Sequence, residues 1–192
     1  MRRTLPHPTT SGSPARGLAV TLVALLALPL GACGRASSDP RHPDVPIRRF
    51  AEVDAGLYRG AQPDAGGFRA LKDLGVRTVL NFRGEDEDKS LAPKEIAVVQ
   101  LKAHINKPDD GEIQRFFEIA LDPAKRPLFM HCAEGRERTG FYAALWRIEV
   151  DGWTNARALD EMREFGFRDN DHPEVVEYLT AYKPRGYAKT PR

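Results

Sequence analysis

The 192-residue sequence has little cysteine, little net charge and only one long apolar run, and each shortage excludes something. Two cysteines, Cys33 and Cys132, are too few for a disulfide framework or a four-cysteine zinc site. A single apolar run excludes a multi-span membrane protein. The formal charge is only +2, and it is uneven: residues 1–32 hold Arg2, Arg3 and Arg16 and no acid. Without those three, 26 basic and 27 acidic residues leave a net charge of −1, a poor footprint for a nucleic-acid-binding body. What remains is 41% apolar and 29% charged, the balance of a soluble folded body large enough for one ordinary domain.

The apolar run, residues 18–30 (LAVTLVALLALPL), is thirteen residues long. That falls short of the roughly 20 that a membrane-spanning helix needs. It fits the apolar core of a signal peptide, behind an arginine-bearing segment and ahead of small residues. Leu30-Gly31-Ala32-Cys33 resembles the lipobox of bacterial lipoproteins, which implies cleavage before Cys33 and lipidation of its sulfur. The expected organisation is a signal peptide over 1–32, a flexible tether over 33–49, a folded domain over 50–183 and a C-terminal tail over 184–192. The tether reading rests on the proline- and serine-rich stretch GRASSDPRHPDVP, which has no periodicity. The expected location is exported and membrane-anchored, periplasmic or at the cell surface, with plain secretion as the alternative.

Within the body, strand and helix patterns alternate. Gly56–Gly60, Arg77–Phe82, Ile96–Leu101 and Pro127–His131 read as short strands. Asp64–Leu74 reads as a helix stopped by Gly75, with Phe68, Leu71 and Leu74 on one face. Helices are also expected from Pro108-Asp109-Asp110 to about Leu121, over Arg138–Val150, over Thr154–Phe165 and over Pro173–Tyr182, with the acidic stretch Gly84–Ser90 as a loop. The fold class is α/β, a mostly parallel sheet flanked by helices.

The chemistry concentrates in His131–Gly140, HCAEGRERTG, at the change from strand to helix. Ligands gather at the carboxyl ends of strands in such sheets. Backbone N–H groups of residues 133–139 (Ala133, Glu134, Gly135, Arg136, Glu137, Arg138, Thr139), with the first turn of the helix, can form an anion nest. Gly135 permits a turn that a side chain would obstruct. Arg138, six residues after Cys132, can clamp two phosphate oxygens with its planar fork. The same donors favour a thiolate at Cys132, a nucleophile facing a bound phosphoryl group. Thr139 can bond the sulfur or assist its departure, and His131 can brace the loop. Cys-x5-Arg alone is a weak signal; the added His, Gly and Thr-Gly make a chance match rare. Glu134, Arg136 and Glu137 also read as rim residues able to tune substrate preference by charge.

HCAEGRERTG resembles the signature loop of the cysteine-dependent protein tyrosine and dual-specificity phosphatases. The upstream stretch LYRGAQP…GFRALKDLGVRTVLNFRGEDE resembles their compact atypical members, with Gly60 where those carry a serine and with Asn81-Phe82-Arg83 at a strand end. The resemblance covers about residues 50–183. It implies that fold, Cys132 as nucleophile, Arg138 as clamp, residues 132–138 as cradle, and no metal or cofactor. It also implies a phosphorylated protein or small phosphorylated molecule as the partner. Arg59 and Gln62 are expected to be structural more than catalytic. The general acid is the weak point: no aspartate stands about thirty residues before Cys132. The nearest candidates are Asp109 and Asp110, each of which also reads as a helix cap or first-turn residue. Acidic residues at 85–88 and Glu134 come next. Phosphotyrosine is the leading substrate class and an inositol phosphate the alternative. A non-catalytic phosphate-binding module and a sulfur-transfer domain are the rivals from other classes.

Overall fold

Among the described residues, five short strands and six α-helices build the body. In the computed structural model, the described residues are 41, 42, 44–85 and 87–189. The expected signal peptide and Cys33 lie outside them. Chain order is β1 (Ala51–Asp54), β2 (Leu57–Gly60), α1 (Ala65–Asp73), β3 (Thr78–Asn81), α2 (Glu87–Leu91), β4 (Ala97–Gln100), α3 (Asp110–Ala120), β5 (Leu128–His131), α4 (Glu137–Glu149), α5 (Asn155–Glu164) and α6 (Pro173–Ala181). The sheet order is β1-β2-β5-β3-β4. Only the β1–β2 pair is antiparallel; β2, β5, β3 and β4 run parallel, so the sheet is mostly parallel, as expected.

β5 lies centrally. Its register sets His131 opposite both Gly60 and Asn81, at the carboxyl ends of β2 and β3. Side chains alternate across the sheet. Leu128 and Met130 join Leu57 and Leu80 in the core shared with α3, α4, α5 and α6. Phe129 joins Tyr58 and Val79 in the core shared with α1. The α4 helix is buried nearly all round, from Thr139 through Trp146. It has no clear polar stripe because the sheet covers one side and its neighbouring helices the other.

The helix ends follow local chemistry. Asp64 caps α1 by accepting from Gly67 N at 2.8 Å, and Gly75, at φ +76°, lets the chain leave it. Three expectations are corrected. Glu87–Leu91 within the acidic stretch is a short helix, not loop, and its Asp88 is fully buried. Ala51–Asp54 is a strand that the sequence pattern did not show. The body also exceeds 50–183 at both ends. Val45 and Ile47, in the expected tether, are buried with Phe50, Tyr58 and Phe68. In the expected tail, Tyr187 stacks on Phe117 with centroids 4.5 Å apart, and the N–H groups of Arg185 and Gly186 donate to the Glu149 carboxylate at 2.6 and 3.0 Å. Apolar side chains placed among prolines, and a buried carboxylate taking up free N–H groups, are stronger than the local composition that suggested loose chain.

Candidate active site

The loop from His131 to Thr139 joins β5 to α4. Cys132 is 1% exposed, and Gly135 N donates to its Sγ at 3.2 Å. The first bond inside α4 runs from Gly140 N to the Arg136 carbonyl at 3.0 Å. The N–H groups ahead of it are those that a helix start leaves for an anion. Gly135 sits at φ +73°. A Cβ there would stand 2.6 Å from the Gly60 carbonyl carbon and 2.7 Å from Ala61 N, so the loop passes against the end of β2 with no room for a side chain. Gln62 N ties the same region to the Ala133 carbonyl at 3.2 Å.

Arg138 is half-buried, and its Nη1 donates to the Phe82 carbonyl at 3.1 Å. That bond fixes the guanidinium over the end of β3, in the same loop as Cys132. Thr139 is fully buried, and its Oγ1 has no hydrogen-bond partner among the described residues. The expected bond to the sulfur is therefore not made here. Glu134 turns its carboxylate outward to Arg48, and Glu137 pairs with Arg136 at 3.1 Å.

Two buried supports hold the loop from behind. His131 Nδ1 lies 3.2 Å from the Cys132 carbonyl, and its Nε2 lies 2.8 Å from Asp88 Oδ2. This is the bracing role expected of His131, with a carboxylate partner that the sequence pattern hid inside an acidic run. Burial pushes the Asp88 carboxyl up, but hydrogen bonds and charge from His131, with help from Gln62 and Asn81, hold it below the usual carboxylate range. Gln62 also accepts from Arg83 Nη1 at 2.9 Å, so the Gln62-Pro63 and Asn81-Phe82-Arg83 segments meet in one network. The second support is Arg59, 1% exposed, whose Nη2 donates to the Gly135 carbonyl at 3.0 Å while its guanidinium lies 3.9 Å over the Phe165 ring. Burial lowers its pKa to about 10, with Glu161 and Cys132 pulling the other way, and it stays charged at neutral pH. Arg59 and Gln62 thus act structurally, as expected.

The acid candidates have other partners. Asp109 caps α3, accepting from Glu112 N at 2.9 Å. Asp110 pairs with Arg185 Nη1 at 2.7 Å. Asp109 lines a cleft of about 590 Å³ with His104, Asn106, Lys107 and Glu112, apart from the residues of the 131–139 loop. Asp88 is fully engaged by His131 and Gln62, and Glu134 by Arg48. No group of three or more metal-ligating side chains converges among the described residues.

Residues 48–177 match the family described as "DSP-PTPase phosphatase fused to NAD+ Kinase". The chain belongs to this family of cysteine-dependent dual-specificity phosphatases. Among its relatives is the dual specificity protein phosphatase TpbA of Pseudomonas aeruginosa PAO1, 39% identical over 131 residues, which are 67% of this chain and 58% of TpbA. The chain thus spans somewhat more than half the length of the curated TpbA proteins. A crystal structure of P. aeruginosa TpbA superposes with a TM-score of 0.65 at 32% identity, covering 79% of this chain and 92% of that one. A Cys-to-Ser variant of TpbA has also been solved in complex with phosphotyrosine, with a TM-score of 0.62 at 31% identity, covering 72% of this chain and 92% of that one. The inositol diphosphatase DSP1 of rice is 29% identical over 131 residues, 63% of this chain and 58% of that protein. In this member of the family the Cys-x5-Arg loop lies at the strand-to-helix junction, bedded on β2 and β3.

Proposed function

We propose that the chain hydrolyses phosphate monoesters through a phosphocysteine intermediate, with phosphotyrosine in proteins or peptides as the leading substrate class. The observation that carries this reading is Cys132 Sγ under the Gly135 N–H, in the loop that also holds Arg138 against the Phe82 carbonyl. The phosphoryl group sits on the loop N–H groups and the Arg138 fork. The Cys132 thiolate attacks phosphorus, the P–O bond to the alcohol breaks, and an acid supplies the leaving oxygen with a proton. Water then attacks the thiophosphate, inorganic phosphate leaves, and the thiolate returns. The phosphotyrosine complex of TpbA supports the aryl ester as substrate. The rice relative supports an inositol phosphate as the second reading.

The proton donor in this proposal is Asp109 or Asp110, released from its helix cap or from Arg185 when substrate closes the segment ahead of α3. The mature chain begins at a lipidated Cys33 and acts at a membrane outside the cytoplasm. The lipobox-like Leu30-Gly31-Ala32-Cys33 supports that reading, and no helix among the described residues is long and apolar enough to cross a membrane. Mass spectrometry of the purified N-terminus decides the anchor, since an unmodified start elsewhere removes it.

The deciding experiment for the reaction is an acid quench with radiolabelled phosphotyrosine peptide, with a metal chelator present. The expected result is labelled protein with the phosphate on Cys132. Cys132→Ser should bind vanadate without turning over. Steady turnover by Cys132→Ser overturns the mechanism.

A further inference from the structure

Three guanidinium groups stand beside the cradle, and two carboxylates hold them. Arg48 presents its fork to Glu134, Nη1 to Oε2 at 2.9 Å and Nη2 to Oε1 at 3.0 Å. Arg49 Nη1 donates to the Glu134 carbonyl at 3.0 Å and lies 3.6 Å from Oε2. Arg136 pairs with Glu137 at 3.1 Å, and its buried Nε has no partner among the described residues. Arg49 and Arg136 converge over Gly166, where a Cβ would meet Arg136 Cδ at 3.2 Å and Arg49 Nε at 3.5 Å. Glu134 and Arg136 belong to the phosphate loop itself, two and four residues after Cys132. A fork of the kind that grips a phosphate bidentately therefore lies next to the cradle, and a carboxylate of the same chain already fills it.

We propose that Glu134 is a specificity-determining residue, an internal anion that occupies Arg48 and Arg49 and so selects singly phosphorylated esters against polyphosphorylated ones such as inositol polyphosphates. This rests on the phosphatase reading above and deepens it. A lone phosphate is met by the loop N–H groups and Arg138, and asks nothing of the rim. A polyanion brings a second phosphate within a few ångströms of the first. That group must sit against the Glu134 charge or displace Glu134 from Arg48. Both penalties fall on the polyanion alone. The Arg48 hydrogen bonds, and the charges of Arg48, Arg49 and Arg136, hold the Glu134 carboxyl below its usual range, so it stays ionised through any ordinary assay pH. Its side chain is 40% exposed, which makes the effect moderate and sensitive to salt.

The test is Glu134→Gln, which keeps the shape and the backbone of the loop while removing the charge. The kcat/KM for inositol hexakisphosphate relative to that for a phosphotyrosine peptide should rise about tenfold, and rise less in high salt. Adding Arg48→Met to Glu134→Gln should remove most of the gain, because the freed Arg48 fork is its main source; the remainder reflects the lost Glu134 charge and Arg49. The Kd of inositol hexakisphosphate for Cys132→Ser protein, measured by calorimetry, should fall about tenfold when Glu134→Gln is added. A ratio and a Kd that both stay within twofold overturn the gate. So does a gain that survives Arg48→Met undiminished. A parent protein that hydrolyses no phosphotyrosine overturns the substrate reading instead, and the Kd comparison still decides the gate.

Discussion

Gly135→Ala is the sharpest test of how the loop is built. Two penalties meet at this position. The backbone lies at φ +73°, where an L side chain costs about 1–2 kcal/mol. The new methyl would also stand 2.6–2.7 Å from the backbone of Gly60 and Ala61, and backbone at a strand end cannot swing aside as a side chain can. Recovering a 3.4 Å contact needs a retreat of about 0.8 Å, and overpacking of this kind typically costs about 1–3 kcal/mol. The expected total is about 2–5 kcal/mol. Gly75→Ala is the control. It shares the positive φ, at +76°, but has nothing within 4 Å of its Cβ position. It should lose only about 1 kcal/mol, since a stiffer unfolded chain returns part of the strain. Activity separates the two further. Gly135 N is the donor to Cys132 Sγ, and a displacement near 1 Å in a catalytic site can cost about 10²-fold. Urea melts give the stabilities, and kcat/KM on an aryl phosphate gives the activity. Equal melts and near-parental activity for both variants would refute the close packing of loop on strand.

Arg138→Lys should lose about 10²–10³-fold in kcat/KM with little change in melting, because an ammonium replaces the planar fork; parental kinetics would make Arg138 structural. Asp88→Ala should cost about 3–5 kcal/mol in denaturant melts, since it strands fully buried His131, and Asp88→Asn should cost less. The Asp88 carboxyl is held below its unfolded value, near 3.9, so its contribution is fully present above about pH 4 and is lost as pH falls through the lower folded value. Melts from pH 6 to pH 3 should show a shallower decline for Asp88→Asn than for the parent. Asp109→Asn and Asp110→Asn separate cap from acid. The true acid should lose about 10²–10⁴-fold on phosphotyrosine and little on an activated aryl phosphate, whereas a cap costs roughly 0.5–2 kcal/mol of stability and treats both substrates alike.

The loop was legible because its chemistry is contiguous. His131, Cys132, Gly135, Arg138 and Thr139 stand within nine residues, and a strand must run into a helix there. The long helices were legible through apolar spacing and through end signals such as Gly75 after α1 and Pro108-Asp109-Asp110 at the start of α3. β1 was not, because Ala51–Asp54 is a four-residue edge strand with only Val53 fully buried, too short to show alternation. Asp88 was hidden because burial of one carboxylate in the run Glu85–Asp88 depends on a histidine 43 positions away. The ends were misjudged because Val45 and Ile47 stand among prolines, and Tyr187 after a glycine, where local composition says nothing of a core that arrives from elsewhere.

That dependence on distant partners has a consequence for how the site forms. The reacting groups come from one short segment, but their placement comes from Arg48, 86 positions from Glu134, Arg59, 76 from Gly135, Phe82, 56 from Arg138, and Asp88, 43 from His131. Each crosses into β5 or its loop from the segment ahead of β1, from β2, from the end of β3 or from α2. The parallel pairs β2–β5 and β3–β5 must therefore close before Arg59 and the Phe82 carbonyl can reach the loop. Such non-local pairing carries its loop-closure entropy ahead of its reward. An isolated peptide of residues 127–150 would hold Cys132, Gly135, Arg138 and all of α4, yet lack the four distant groups that place them. The nucleophile and the clamp are properties of the motif; their alignment is a property of the sheet.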